Sequence, residues 1–165
     1  MMKISRFFKH LLTSSARTAK IFNAEALDAI EAEIRAGETT HHGDIRFVIE
    51  PALEPLDLLQ GRAPRDRAIE LFSQLRVWDT EHNNGVLFYV LMAERSVEFV
   101  CDRGLRQRTT QQQWIDICNR VDLAYQQGRF LEGSLAALHE INQILATAYP
   151  EPDQINQLED RPLIL

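Results

Sequence analysis

An α/β fold, a three-layer α/β/α sandwich around a small mixed sheet, is predicted by three observations. The run Val86 to Ala93 is apolar at eight successive positions, so both of its alternating faces must be covered. After a two-residue turn at Glu94-Arg95 comes a second strand, in which Val97, Phe99 and Cys101 alternate with Glu98, Val100 and Asp102. The pair reads as a hairpin with one central member and one nearer the edge. Segments with apolar residues at helical spacing stand before and after it, so helices cover both faces of the sheet.

The elements follow in order. Residues 1–22 hold Lys3, Arg6, Lys9, Arg17 and Lys20 and no acid, a charge of +5, whereas the other 143 residues hold 13 basic and 24 acidic side chains. If this arm is helical, Ile4, Phe7, Phe8, Leu11 and Leu12 oppose Lys3, Arg6, Lys9 and His10, the pattern of an interfacial amphipathic helix. The competing reading is a segment folded back on its acidic body or left without structure. Lys9-His10 interrupts the apolar stretch, so no secretory signal is expected. No run reaches the roughly 18 apolar residues of a membrane span. A cytoplasmic protein, associated with a membrane through residues 1–22, is the resulting expectation.

Asn23 caps a helix running to about residue 36, with Leu27, Ile30 and Ile34 on one face and Gly37 placed as its left-handed end. Asp44 to Glu50 then reads as a strand with Ile45, Phe47 and Ile49 on one side, closed by Pro51. Pro55, Gly61 and Pro64 break the next stretch into loop. A second helix carries Ala68, Leu71, Phe72 and Leu75, and leads by a parallel, right-handed crossover to the central strand. Thr110 and Gln113 form a capping box for a third helix, with Trp114, Ile117, Cys118, Val121 and Tyr125 inward and Gly128 at its end. Leu131, Leu135, Leu138, Ile141 and Leu145 mark a fourth. From Pro150 the chain turns polar and acidic: a frayed tail, or a tail in which Pro162 to Leu165 docks. The organisation expected is an arm at 1–22, one domain at 23–149 and an acidic tail at 150–165.

Composition and motifs exclude several functions. An acidic body repels a nucleic-acid backbone. Cys101 and Cys118 have no spacing for a metal knuckle or a disulfide framework, and read as buried reduced thiols in a reducing compartment. The chain has no Gly-x-x-x-x-Gly-Lys-Ser/Thr, Gly-x-Gly-x-x-Gly or Gly-x-Ser-x-Gly, which removes the usual devices for nucleotides and serine hydrolysis. His139-Glu140 is half of a zinc motif, but Gln143 stands where the second histidine belongs, so His139 reads as a surface residue. His41, His42 and Asp44 combine imidazole and carboxylate ligands, or simply face solvent.

The loop Asp79 to Asn84 concentrates Asp79, Glu81, His82, Asn83 and Asn84 in six residues before a buried strand. Oxygen-rich clusters suit hard cations such as Ca²⁺ or Mg²⁺. Asn83-Asn84-Gly85 reads equally well as a turn that tolerates positive φ. In an antiparallel hairpin the end of the second strand lies beside the start of the first, so Asp102 is brought to this loop. Asp79, Glu81 and Asp102 are therefore the candidate metal ligands.

Residues 23–149 resemble the TPM domain family, named for a thylakoid lumen phosphatase-like protein, a photosystem repair protein and a worm receptor-modulating protein. The resemblance rests on Ile34-x-x-x-Glu38-Thr39-Thr40 leading to Gly43-Asp44-Ile45-Arg46-Phe47, on Asn83-Asn84-Gly85-Val86-Leu87, on Arg95 and on Gly104-Leu105. It implies the same sandwich. It also implies either acid-phosphatase-like activity with calcium binding, or a non-catalytic accessory module of membrane complexes, where bacterial relatives accompany LemA-like membrane proteins. The chain departs from the family in Cys101-Asp102-Arg103, where relatives have a glycine-rich turn, and in lacking an export signal and a glycine-rich membrane tail. Two functions are thus expected to compete. One is a non-catalytic interaction module meeting an anionic membrane surface or a LemA-like partner through its arm. The other is a weak phosphomonoesterase using a divalent cation on Asp79, Glu81 and Asp102.

Overall fold

In the computed structural model, which describes residues 4–151 and 156–165, four strands share one sheet. They are β1 (Asp44–Glu50), β2 (Gly85–Leu91), β3 (Ser96–Cys101) and β4 (Leu163–Ile164), in the order β3-β2-β1-β4. β1 runs parallel to β2 and to β4, and β3 runs antiparallel to β2. The central place of β2 explains its unbroken apolar sequence, since all seven of its residues are buried.

Strand alternation sorts the side chains onto two faces. On one face Phe47, Phe88 and Phe99 lie in register, with ring centroids 4.3 and 4.7 Å apart. Helices α3 (Ala24–Glu38), α7 (Gln111–Gln126) and α8 (Phe130–Ala148) supply the side chains that cover this face, among them Ile30, Ile34, Ile117 and Leu138. On the other face Val48, Leu87, Tyr89 and Val100 meet Leu58 of α4 (Pro55–Leu59) and Ala68 and Leu71 of α5 (Pro64–Gln74). The result is the three-layer mixed α/β/α sandwich.

Local signals hold at several ends. Asn23 Oδ1 accepts from the Ala26 amide at 2.9 Å, Thr110 and Gln113 complete both halves of their capping box, and Gly128 follows α7 at φ +77°. Gly37 behaves differently from expectation. It lies inside α3, and a Cβ there would overlap the side chain of Asn142 on α8. Its smallness therefore serves helix-to-helix approach, not a left-handed cap. The stretch read as loop contains α4, with Pro55 in its first turn, where no amide donor is missed. The hairpin turn is also longer than two residues. β2 ends at Leu91, because the Met92 and Ala93 amides bond to Glu50 and Pro51 of the neighbouring strand's end, so the turn spans Met92 to Arg95.

The arm forms α1 (Ile4–Leu12) and α2 (Ser15–Ile21), separated where Ser14 caps the second helix. Both lie on the body. His10, Thr18 and Phe22 are buried, and the Arg6 guanidinium reaches Glu94 at 2.8 Å and the Arg62 carbonyl at 2.8 Å. Lys3 lies outside the described residues. At the other end, residues 156–165 dock, with β4 pairing along Val48-Ile49 and the buried Arg46 guanidinium holding the carbonyls of Glu159 and Arg161 at 2.7 Å each. Residues 152–155 of the tail lie outside the described residues.

Candidate functional site

The start of the parallel strands forms one rim of the sheet, and three segments meet there. Asp44 of β1 stands beside Gly85 of β2, and the Asp102 amide bonds to the Gly85 carbonyl at 2.9 Å. The Leu105 amide reaches the Asn83 carbonyl at 3.3 Å, and a Cβ on Gly104 would come within 2.7 Å of the carbonyl oxygens of His82 and Asn83. A Cβ on Gly85 would overlap the Val77 carbonyl. Two glycines thus let the loop 77–84 and the segment after β3 close backbone to backbone. Asn83 takes φ +51° in the middle of this closure, a conformation that Asn tolerates through its short polar side chain.

Polar atoms are left over at the rim. Asp102 caps the short helix α6 (Arg103–Arg106), one oxygen accepting from the Arg103 amide at 2.6 Å. Its other oxygen, Oδ2, is buried without a hydrogen-bond partner among the described residues, and so is Oδ1 of Asn84, whose amide nitrogen donates to the His42 carbonyl at 2.5 Å. Unpaired buried oxygens cost about 1–3 kcal/mol each, more for a charged group, and mark the place where a compensating donor or cation would be stabilised. Around them the imidazoles of His42 and His82 meet at a tilt, centroids 4.7 Å apart, Tyr149 meets His42 at 5.0 Å, and the Arg108 guanidinium covers the Tyr149 ring at 4.5 Å. Burial raises the Tyr149 phenol, Arg108 lowers it and Asp102 raises it.

Of the expected ligands, Asp102 is buried at the rim, while Asp79 and Glu81 are exposed on the adjoining loop. Among the described residues no group of three or more His, Cys, Asp or Glu could hold a metal ion. The segments converge as the hairpin requires, but the three carboxylates do not gather into such a group. His41 is occupied on both ring nitrogens, Nδ1 accepting from Gly43 and Nε2 facing Asn142 Oδ1 at 3.1 Å. Burial lowers its pKa, so the neutral ring is a tie between β1 and α8. Sequence reasoning passes over Tyr149, and it counts Asn84 among the oxygen donors of the loop without marking it as the one left over. No periodicity marks either one, because both depend on how α8 ends and how the loop closes.

The opposite rim, at the ends of β1 and β2, is the electrostatic reverse. Glu50 is buried and accepts from Tyr89 at 2.6 Å and from Nε and a terminal nitrogen of Arg67 at 3.0 and 2.9 Å. Arg67 also reaches Glu70 at 2.8 Å, Glu70 meets Arg62, and Arg62 meets Asp57 at 2.9 Å. The hairpin's Glu94 receives both Arg6 and His10 from α1. His10 Nδ1 accepts from the Leu53 amide at 3.0 Å, which places the ring proton on Nε2, donating to Glu94.

A four-stranded mixed sheet between helical layers, with an Asn-Asn-Gly turn and a buried aspartate at one rim, defines the class of this domain. The TPM domain profile matches residues 15–144, and the chain belongs to the TPM domain family. It is similar to the BA42 protein of the psychrophilic bacterium Bizionia argentinensis, solved by NMR. The two share 27% identity over 87% of this chain and 94% of that one, with a TM-score of 0.76. The N-terminal domain of a P. gingivalis protein, at 20% identity and TM-score 0.63 over 84% and 85% of the chains, shares the fold. No curated protein matches the chain. Among the described residues no helix is long and apolar enough to cross a membrane.

Proposed function

We propose that this TPM domain is a non-catalytic interaction module that meets an anionic membrane surface through α1. One observation carries the reading. Arg6, Phe7 and His10 fasten α1 to the body, while Phe8, Leu11 and Leu12 face solvent. An amphipathic helix buried for the sake of its own fold would turn that stripe inward. Here Arg6, His10 and Phe7 are spent on attachment, and Phe8, Leu11 and Leu12 are offered outward. Lys9 on this helix and Arg17 and Lys20 on α2 are exposed and enter no ion pair among the described residues, and Arg17 lines one cleft with Lys9 and Leu12. Apolar area together with unpaired cations is the combination that binds anionic lipid surfaces.

Co-sedimentation with phosphatidylserine-containing vesicles tests this. Each basic side chain near such a surface contributes about 1 kcal/mol, so reversing Lys9, Arg17 and Lys20 to Glu should weaken binding by more than roughly hundredfold. Added salt should weaken the wild type too. Negligible binding by the wild-type chain at low salt removes the reading.

A second reading rests on the two unpaired oxygens at the first rim. Asp102 Oδ2 and Asn84 Oδ1 are hard donors suited to Ca²⁺ or Mg²⁺, with loop carbonyls and water completing the shell. A cation held there would supply charge neutralisation for a phosphoryl group. Exposed Asp79 and Glu81 do not join Asp102 in one ligand set, so no catalytic step is built on them. An amide NMR titration with each cation tests the site: shifts confined to residues 79–84 and 102–104 support it, and silence there discards it.

A further inference from the structure

We infer that the cleft between the arm and the turn joining β2 to β3 is a binding site for a phosphate monoester, held by Lys9, Arg17, Arg95 and the hydroxyl of Thr18. The cleft has a volume of about 560 Å³ and lies beyond the carboxyl end of β2, on the side of a sheet where open α/β folds commonly hold ligands. α1 and α2 form one wall through Lys9, Leu12, Arg17 and Thr18, and the turn Met92 to Arg95 forms another. It is distinct from the rim at the strand starts, where Asp102 and Asn84 stand.

An orphaned donor and an excess of positive charge both point to an anion. Thr18 is fully buried in this lining, and its Oγ1 has no hydrogen-bond partner among the described residues. A buried hydroxyl left unbonded is costly, and an incoming acceptor oxygen removes that cost. Lys9 and Arg17 are exposed and enter no ion pair among the described residues. Arg95 is bonded through one nitrogen to the Gln126 carbonyl at 3.2 Å, which fixes the guanidinium and leaves its remaining donors to a ligand. Against these three cations the lining has one acid, Glu94, already met by Arg6 at 2.8 Å and by His10 at 3.0 Å.

A phosphate monoester carries about two negative charges at neutral pH and three acceptor oxygens, enough to engage guanidinium, ammonium and hydroxyl together. A carboxylate brings a single charge and fewer acceptors to the same four groups. Ile21, Met92 and Phe130 line the cleft as well, so the body esterified to the phosphate rests on apolar surface. Arg95 takes φ +50°, where glycine or asparagine is at ease, so its guanidinium is present at a conformational cost. The same chemistry comes from a soluble phosphate ester or from a phosphoinositide headgroup. Lys9 and Arg17 also serve the membrane reading above, but this site needs no bilayer.

Amide NMR titration of the full chain with inorganic phosphate, against chloride at equal ionic strength, tests the site. Saturable shifts are expected at residues 9–21 and 92–95. Arg95→Gln should weaken binding about tenfold, through the loss of charge-assisted hydrogen bonds. Thr18→Val should weaken it about fivefold without lowering the melting temperature, because the hydroxyl it removes has no partner in the free protein. Shifts that do not saturate, or that chloride reproduces, overturn the site, and so does unchanged affinity in either variant. Glycerol 3-phosphate and phosphatidylcholine vesicles carrying phosphatidylinositol 4-phosphate separate the two sources: equal affinity assigns a soluble ester, tighter binding to the vesicles assigns a headgroup, and either upholds the site. Phosphate binding without affinity for phosphatidylserine vesicles keeps this site and removes the membrane reading alone.

Discussion

Glu50 and Asp102 are both carboxylates buried at opposite rims of one sheet, yet their surroundings differ completely. Glu50 accepts from Tyr89 and twice from Arg67, which is itself shared with Glu70. Asp102 has one oxygen on a backbone amide and, among the described residues, no partner for the other. A buried charge that is fully paired is a structural tie, and one left half-paired costs stability unless something else binds there. The contrast assigns cohesion to the rim at the strand ends and the candidate site to the rim at the strand starts. It also shows why burial of an acid is by itself a poor guide to function.

The largest expected effect breaks the paired rim. Arg67→Ala strands the Glu50 carboxylate, already desolvated, and should cost about 3–5 kcal/mol in urea unfolding. A cost under about 1 kcal/mol would mean that the pair does not hold this rim together. Next comes the unpaired rim, which is closed by backbone contact instead of by ions. Gly85→Ala sets a methyl group against the Val77 carbonyl and should cost about 1–3 kcal/mol by the same measurement. It should also shift the amide resonances of residues 77–84.

The smallest effect separates the rims by pH. At the strand starts, burial first and then Asp160 and Asp44 push Glu38 up to about 7. An acid whose pKa is raised by folding holds its proton while the unfolded chain loses it, so stability falls as pH rises from about 4.5 to 7. At the other rim, burial pushes Glu94 upward but hydrogen bonds from His10 and Arg6 outweigh it and hold the group below its usual range. Its contribution is present above the unfolded pKa and is lost as acid protonates it. Melting curves from acid pH to neutrality should therefore show stability rising with pH up to about 4.5, from Glu94, and falling from there to about 7, from Glu38. Glu38→Gln should flatten the fall between pH 4.5 and 7, and an unchanged fall would place its origin elsewhere.

Much of this architecture was legible because it repeats. The unbroken apolar run of β2 demanded a central position, and the alternation in β3 placed it at an edge; the sheet order agrees on both counts. The antiparallel pairing alone brought Asp102 to the loop before β2, and that contact exists. What escaped lacks a period. α4 is one turn long and depends on Leu58 finding the second core, and β4 is two residues that gain strand geometry only from the edge of β1. Gly37 looked like a helix end because glycine usually marks one, while its actual constraint is Asn142, more than a hundred residues away. The ligand triad was read from loop composition, which says nothing about which carboxylates point outward; Asp79 and Glu81 do.

The pairing of Val48-Ile49 with Leu163-Ile164 joins positions 115 apart along the chain. During synthesis, β1 leaves the ribosome long before the segment that seals its outer side, so the nascent sheet must wait with that row of amides and carbonyls uncovered. Contacts of such long reach form late and slowly. A growing chain is therefore open to mispairing with its neighbours along β1 until Leu163-Ile164 has been made.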